Sequence, residues 1–338
     1  MPISTAAAVA FEESSRHHTG SMPVADRRRI FGLTIASNFP FNLPLPPGDG
    51  PADLSLTVSL SSLSTWKRLT SPPIYTSALR NESGESLALL YRDSPEGEVL
   101  RFSDAGDFHI RLNGIDYVRS GDDGLAELRF LGPVLSYWLE LRGLPTFHAS
   151  AVSVNGRAAA FATHHGGGKS GLAAAMIQAG SSLLTDDLLV LEEQEDRWEV
   201  RPSYPEMRMW PDEASHFAGP PEDLPLVQTD SEKRRVAIGD GGFGSFQDTS
   251  APLSCIYLAS RRKETDGGIE IQPVSRSEAL IELVRHSFSP RLVEAAGLQP
   301  ARLDRLARLV RSVPVRRLVY PSGFERLPEV VEIVLGSC

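Results

Sequence analysis

The sequence predicts an α/β (α+β) protein with a mainly β amino-terminal part and a second part organised around one strand–loop–helix unit. Three observations carry this expectation. Apolar residues alternate with polar ones at Leu54, Leu56, Val58 and Leu60, and again at Phe108, Ile110 and Leu112, the period of a half-buried strand. Asn113-Gly114 and Asn155-Gly156 each sit between such runs. Both residue types tolerate positive φ, which the type I′ hairpin turn needs. Finally, the apolar run Ala158 to Phe161 leads through a glycine-rich loop into an Ala-rich stretch that ends near Gly180.

Taken in order, residues 1–28 are polar, rich in small residues and without apolar period, and read as disordered. His17 to Met22 looks flexible, and a start at Met22 stays open. Residues 29–143 form the mainly β unit. Pro- and Gly-dense residues 38–51 read as a loop, and Ser86 to Arg92 as a further strand. A helix is expected from Pro133, a first-turn proline, to Gly143, where the chain leaves it. Residues 144–338 form the second unit. In it, Leu183-Leu184 and Leu188 to Leu191 read as buried strand, and Ser275 to Glu278 as a capping box. Leu303 to Val310 reads as a helix whose Arg302, Arg305, Arg308 and Arg311 form a solvated stripe. Val315 to Tyr320 reads as a strand at or near a sheet edge.

Bulk properties narrow the function. The chain has 338 residues, 41% hydrophobic and 23% charged, with a net charge of −9. An acidic balance argues against general nucleic-acid binding, which needs a basic field. The sequence has no apolar run long enough for a membrane helix. Two cysteines, Cys255 and Cys338, allow neither a disulfide framework nor a Cys-x-x-Cys zinc pattern. That fits a reducing, cytoplasmic setting.

The loop itself reads Thr163-His164-His165-Gly166-Gly167-Gly168-Lys169-Ser170-Gly171. Glycines let the backbone take positive φ and approach a phosphate closely. Successive amide N–H groups make an anion nest, and the helix amino end adds roughly half a positive charge. Lys169 is placed to reach β- and γ-phosphates, and Ser170 to offer a hydroxyl to Mg²⁺. The nine positions together form the expected ATP site. Thr163 departs from the full pattern, which has Gly there, and its β-branched side chain restricts the loop's first turn. His164 and His165 read as exposed loop residues.

Asp186 and Asp187 follow the helix inside an apolar stretch. Two carboxylates there are costly unless paired or metal-bound. One suits a metal or the lysine, the other a proton from an attacking hydroxyl. Consecutive strand side chains point to opposite faces, so the two should have different partners. A hairpin bend is the bland alternative.

The order Phe147-His148, Gly166-Gly167-Gly168-Lys169-Ser170, Thr185-Asp186-Asp187 resembles the catalytic domain of HPr kinase/phosphorylase over about 60 residues. The amino-terminal β region, Tyr204 to Asp212 and Val315 to Pro321 are similar to the HPr-kinase-like kinases of lasso-peptide and other peptide natural-product clusters. The resemblance implies a PEP-carboxykinase-like P-loop domain with a mixed sheet and flanking helices. It also implies Asp186 as general base, Asp187 and Glu206 with Ser170 as metal ligands, and His148 as an orienting or phosphate-touching residue. Arg234 or Arg235 would supply a transition-state cation. The segment Met207 to Pro211 replaces the family's Gly-rich signature, which puts HPr in doubt as acceptor. Three readings stay open: an ATP- and Mg²⁺-dependent kinase for a Ser or Thr hydroxyl of a precursor peptide or small protein, an HPr-type kinase/phosphorylase, and a nucleotide-gated peptide-binding module without chemistry. Homo-oligomerisation is also open.

Overall fold

The computed structural model describes residues 26–59, 69, 71–81, 83–94, 97–164, 166–195, 197–228, 231–262 and 268–337. The architecture is mixed α/β. The expected disordered opening lies outside these residues up to position 25, but a strand begins at Asp26.

The first half contributes β1 (Asp26–Ile30), β2 (Leu33–Ser37), β3 (Leu54–Ser59), β4 (Tyr75–Thr76), β5 (Ala88–Ser94), β6 (Gly97–Phe102), β7 (Gly106–Arg111) and β8 (Gly114–Arg119). Among the described residues they form one sheet in the order β1-β2-β3-β8-β7-β6-β5-β4. The predicted Asn113-Gly114 turn is displaced by one residue. Arg111 pairs with Gly114, so the loop is Leu112-Asn113, and neither residue has positive φ. Gly114 serves the neighbouring strand instead: a Cβ there would lie 2.7 Å from Ser55 Oγ.

The connecting helix starts ten residues earlier than its proline suggests. Asp122 caps α1 (Asp123–Arg129) by accepting from Leu125 N. A π-helical turn, Phe130–Val134, takes up Pro133 and runs into α2 (Leu135–Leu141). Widening the turn is how an interior proline is tolerated without ending the helix. Gly143 ends it with φ 80, as expected.

The second half holds β9 (Thr146–Val154), β10 (Arg157–Ala162), α3 (Lys169–Gln178), β11 (Ser182–Thr185), β12 (Leu188–Gln194), β13 (Arg197–Arg201), β14 (Glu206–Met209) and α4 (Pro211–Phe217). There follow β15 (Arg234–Ala237), β16 (Ser245–Phe246), β17 (Ala251–Arg262), β18 (Glu270–Pro273), α5 (Arg276–Arg285), α6 (Pro290–Ala295), α7 (Gln299–Ser312), β19 (Val315–Pro321) and α8 (Leu327–Leu335). Asn155-Gly156 does form the β9–β10 turn, with φ of 50 and 77. The sheet order is β16-β11-β9-β12-β13-β17-β19-β18, with β10 bonded to β9 and β17. The path β9-β12-β13-β17-β10 therefore closes on itself. β19 lies one strand from the edge. β14 and β15 make a separate ribbon.

Alternation along β9 and β10 divides the core. Phe147, Ala149, Ala151, Ala158, Ala160 and Ala162 pack with α5 and α7 residues such as Leu283 and Leu306. Val152, Val154, Ala159 and Phe161 pack on the α3 and α8 side. α3 is buried along its whole length from Lys169 to Ile177, which explains an Ala-rich helix without a polar face. Among the described residues, no helix is long and apolar enough to cross a membrane.

The Arg stripe of α7 is split by burial. Arg308 pairs with Glu193 at the surface. Arg302 is only 2% exposed. Its Nε donates to Glu140 at 3.0 and 3.1 Å and its Nη2 to Thr146 O, while Glu140 also accepts from Thr146 N and Oγ1. This network ties α2, β9 and α7 together. Arg302→Ala should lower unfolding free energy by about 3–5 kcal/mol, because it strands the Glu140 carboxylate. Urea denaturation checks this, and a loss no greater than that of Arg308→Ala would contradict it.

Candidate active site

β10 delivers the glycine loop and α3 receives it. Gly166 and Gly168 have φ of 73 and 83, and Gly168 is the left-handed residue that opens α3. A Cβ on Gly167 would fall 2.7 Å from Thr163 Cβ, so the loop closes tightly on Thr163. Thr163 itself keeps a negative φ and donates through Oγ1 to His164 O. The position therefore does not need glycine, and the expected restriction does not arise. His164 leans on His286, with ring centroids 5.2 Å apart, and is not part of the cleft lining. His165 lies outside the described residues.

The acidic pair occupies the break between β11 and β12, which both pair with β9. Register continues across the break, with Thr185 opposite Ala151 and Leu188 opposite His148. Asp187 has φ 72, and Leu188 N donates to Asp186 O at 2.9 Å, which is a γ-turn of the positive-φ kind. The turn sends the carboxylates to separate partners. Asp186 is buried and accepts from Ser150 Oγ at 2.5 Å, Ser170 Oγ at 3.0 Å and Arg208 N at 3.1 Å. Asp187, with its side chain 26% exposed, faces Lys169 Nζ at 3.1 Å, His148 Nδ1 at 3.2 Å and Arg208 Nη1 at 3.8 Å.

Electrostatics follow from that geometry. Burial opposes ionisation of Asp187, but Lys169, His148 and Arg208 outweigh it and hold the carboxyl well below the usual range. Burial pushes the His148 imidazole down despite the pull of Asp187.

His148, Lys169, Asp187 and Arg208 line an open cleft together with Thr163, Gly166, Gly167, Gly168 and Ser170. Trp210, Glu213 and Lys233 form the rest, and Lys233 Nζ sits 5.3 Å from the Trp210 ring centroid. Gly171 lies against Glu213, whose Oε1 would be 2.9 Å from an added Cβ. Arg261, at the end of β17, donates to Gly166 O at 2.7 Å and braces the loop.

Three expected residues fall elsewhere. Arg234 lies opposite Met209 on the buried face of the β14–β15 ribbon and donates to Leu224 O. Arg235 turns to Glu206 and to Val227 O. Glu206 is absent from the cleft lining and is buried with Oε1 unpartnered. Among the described residues, no group of three His, Cys, Asp or Glu side chains gathers for a metal. Ser170 and Asp186, rather than Asp187 and Glu206, are the oxygen donors that meet.

The period of two along a strand could have found part of what was missed. Ser150 is two residues from His148 on β9. Lys233, just ahead of β15, lies two residues from Arg235. Arg208 and Trp210 sit within the Tyr204 to Asp212 stretch. Arg261 and Glu213 had no local signal, because they reach the loop only through sheet and helix packing.

No family model matches the sequence, and no curated relative matches it. Among solved structures, the HPr(Ser) kinase/phosphatase from Coxiella burnetii is similar at 12% identity and a TM-score of 0.28. The alignment covers 57% of this chain and 94% of that one. A similarity of that size assigns no residue, and the chemistry rests on the geometry above.

Burial raises the Glu206 carboxyl from 4.5 to about 7, and Arg235 and Arg208 offset only part of that. The folded protein then holds this proton more tightly than the unfolded chain. As pH rises from 4.5 to about 7 the unfolded state releases it first, so stability falls across that window. Glu206→Gln should flatten this part of the curve. Urea unfolding from pH 4.5 to 8 tests it, and parallel curves for the two proteins would contradict the assignment.

Proposed function

We propose that the protein is an ATP-dependent phosphotransferase that moves the γ-phosphoryl group to a Ser or Thr hydroxyl. The observation that carries this reading is the division of labour in the acidic pair. Asp186 is bonded to the loop hydroxyl of Ser170, and Asp187 stands half-buried in the cleft lining beside Lys169 and His148.

The loop fits a polyphosphate. Two left-handed glycines turn the backbone, and Lys169, Arg208 and Lys233 supply positive charge. Ser170 and Asp186 fit Mg²⁺, a hard cation that takes one or two protein oxygens and completes its shell with phosphate and water. When bound, the ion supplies neutralisation of charge on the phosphoryl group. The remaining work belongs to the chain. Asp187 accepts the acceptor's proton while the hydroxyl oxygen bonds to the γ-phosphorus. The bond from phosphorus to the β–γ bridging oxygen breaks, and ADP leaves with that electron pair. His148 holds the Asp187 carboxylate in place.

Lys169 couples binding to basicity. In the ligand-free protein it pairs with Asp187 and keeps that carboxylate a weak base. When Lys169 turns to phosphate, Asp187 loses a positive neighbour and its proton affinity rises. This reverses the sequence-based assignment, in which Asp186 was the base and Asp187 a metal ligand. A buried carboxylate already accepting from Ser150, Ser170 and Arg208 has no open path to an acceptor.

The acceptor we favour is a Ser of a precursor peptide, as the family resemblance implies. Trp210, in the Met207 to Pro211 segment that stands in place of the HPr-type signature, lines the cleft together with Lys233. The module without chemistry loses its motive, because Thr163 does not distort the loop.

Asp187→Asn should cut phosphate transfer by roughly 10²–10⁴-fold while MgATP binding stays within a few-fold of wild type. Asp186→Asn should instead raise the Mg²⁺ concentration needed, by about tenfold or more. Mass spectrometry of Ser-bearing candidate peptides, with phosphate release to water as a second readout, measures the first effect. Calorimetry across a Mg²⁺ series measures the second. The opposite pattern would restore Asp186 as base.

A further inference from the structure

An open groove lies between the first turn of α5 and the last turn of α7, where β19 begins. Its floor is apolar. Ala279, Val310, Val313 and Val315 line it and belong to the core under the two helices. Pro273 and Pro314 line it too and are exposed. Three cations share the lining, Arg276, Arg311 and Arg316, and no carboxylate does. The chain as a whole carries a net charge of −9, so this concentration of one sign runs against its average.

Local neutralisation does not account for these arginines. The carboxylates closest along the chain or on the neighbouring surface are taken: Glu278 pairs with Arg317 at 2.6 Å and Glu193 with Arg308 at 2.7 Å. Arg316 donates to the neutral carbonyl of Ser337. Among the described residues, Arg276 and Arg311 have no hydrogen-bond or ion-pair partner. Arg311 suits the last turn of α7, where a cation complements the helix dipole. Arg276 is the first residue of α5, where the dipole disfavours a cation, so helix stability gives no reason for it.

We propose that this groove docks an acidic polypeptide segment that also carries apolar side chains. Guanidinium forks pair with carboxylates through two parallel hydrogen bonds, and the valine and proline surface takes the apolar side chains between them. Charge complementarity selects this partner. A nucleic-acid surface would need further cations in place of the apolar floor. The proposal is independent of the phosphotransfer reading. In the parallel pair of β17 and β19, Ile256 lies opposite Val315, and Arg261, which braces the glycine loop, comes five residues later on β17. At about 3.3 Å per residue this separates groove and loop by roughly 16 Å along the strand. α5 spans the same interval, from Arg276 in the groove to His286, whose ring meets His164 of the loop. A docked segment therefore leaves the cleft free.

Fluorescence anisotropy on the full chain tests this, with a labelled eight-residue peptide that alternates glutamate and leucine. The peptide should bind, and exchanging its glutamates for glutamine or its leucines for serine should each weaken binding about tenfold or more. Arg276→Glu and Arg311→Glu, at exposed positions, should each weaken it about fivefold or more. The milder Arg276→Gln and Arg311→Gln should act in the same direction by a smaller factor, and unchanged urea midpoints show that all four are folded. Lys233→Glu, in the glycine-loop cleft, should leave peptide binding as it is. A loss in that variant as large as in the arginine variants would place the peptide in the cleft and overturn the proposal. Binding that survives both charge reversals, or no binding by the wild type, would overturn it as well. Tighter binding of a labelled single-stranded oligonucleotide of equal charge would assign the groove to nucleic acid instead.

Discussion

The γ-turn at Asp187 is the constraint on which the rest of the site depends. Were β11 and β12 one unbroken strand, Asp186 and Asp187 would project to opposite faces of the sheet, and one would be buried in an apolar layer. A single positive φ at Asp187, which costs about 1–3 kcal/mol for a residue with a side chain, lets both stay on the side of α3. There the first is locked by hydroxyls and a backbone amide, and the second reaches solvent. The surrounding pairing maintains the strain: β9 holds Thr185 on one side of the turn and Leu188 on the other.

The charges around that turn are mutually dependent. Lys169 and Asp186 are each less than 10% exposed, and isolated charges so placed would be expensive. Each is satisfied by the constellation that performs the chemistry, so stability and function share the same contacts. A ligand that draws Lys169 away must compensate with its own negative charge, and a polyphosphate does so.

The two halves of the chain meet through a few directed contacts as well as shared apolar packing. Leu188, Val190 and Tyr204 belong to the same cluster as the first sheet's Leu54 and Phe108. Arg201 on β13 donates to Phe31 O at 2.7 Å, in a hairpin where Phe31 and Gly32 both have positive φ. Arg302, Glu140 and Thr146 anchor the helix that leads into β9. The strand carrying His148 and Ser150 is thereby fixed at its start, ahead of the residues that face the acidic pair.

The sequence by itself determined what is local. Period-two alternation placed β3 and β7, short apolar runs placed β11 and β12, Asn155-Gly156 set one hairpin, and glycines followed by Lys169-Ser170 marked the loop between β10 and α3. Each depends on the backbone preferences of neighbouring residues, which is information a short window contains. Where neighbours compete, local reading slipped. Gly114 looked like a turn residue but answers to Ser55 across the sheet. Pro133 looked like a helix start but sits in a π turn, and Arg302 looked solvated but pairs with a residue far away in the chain. Only tertiary structure decided which of the two aspartates lines the cleft, that Arg234 is absent from that lining, and that Glu213 joins it while Arg261 braces the loop. Those outcomes turn on one strained φ and on contacts between segments distant in sequence, and no periodicity records either.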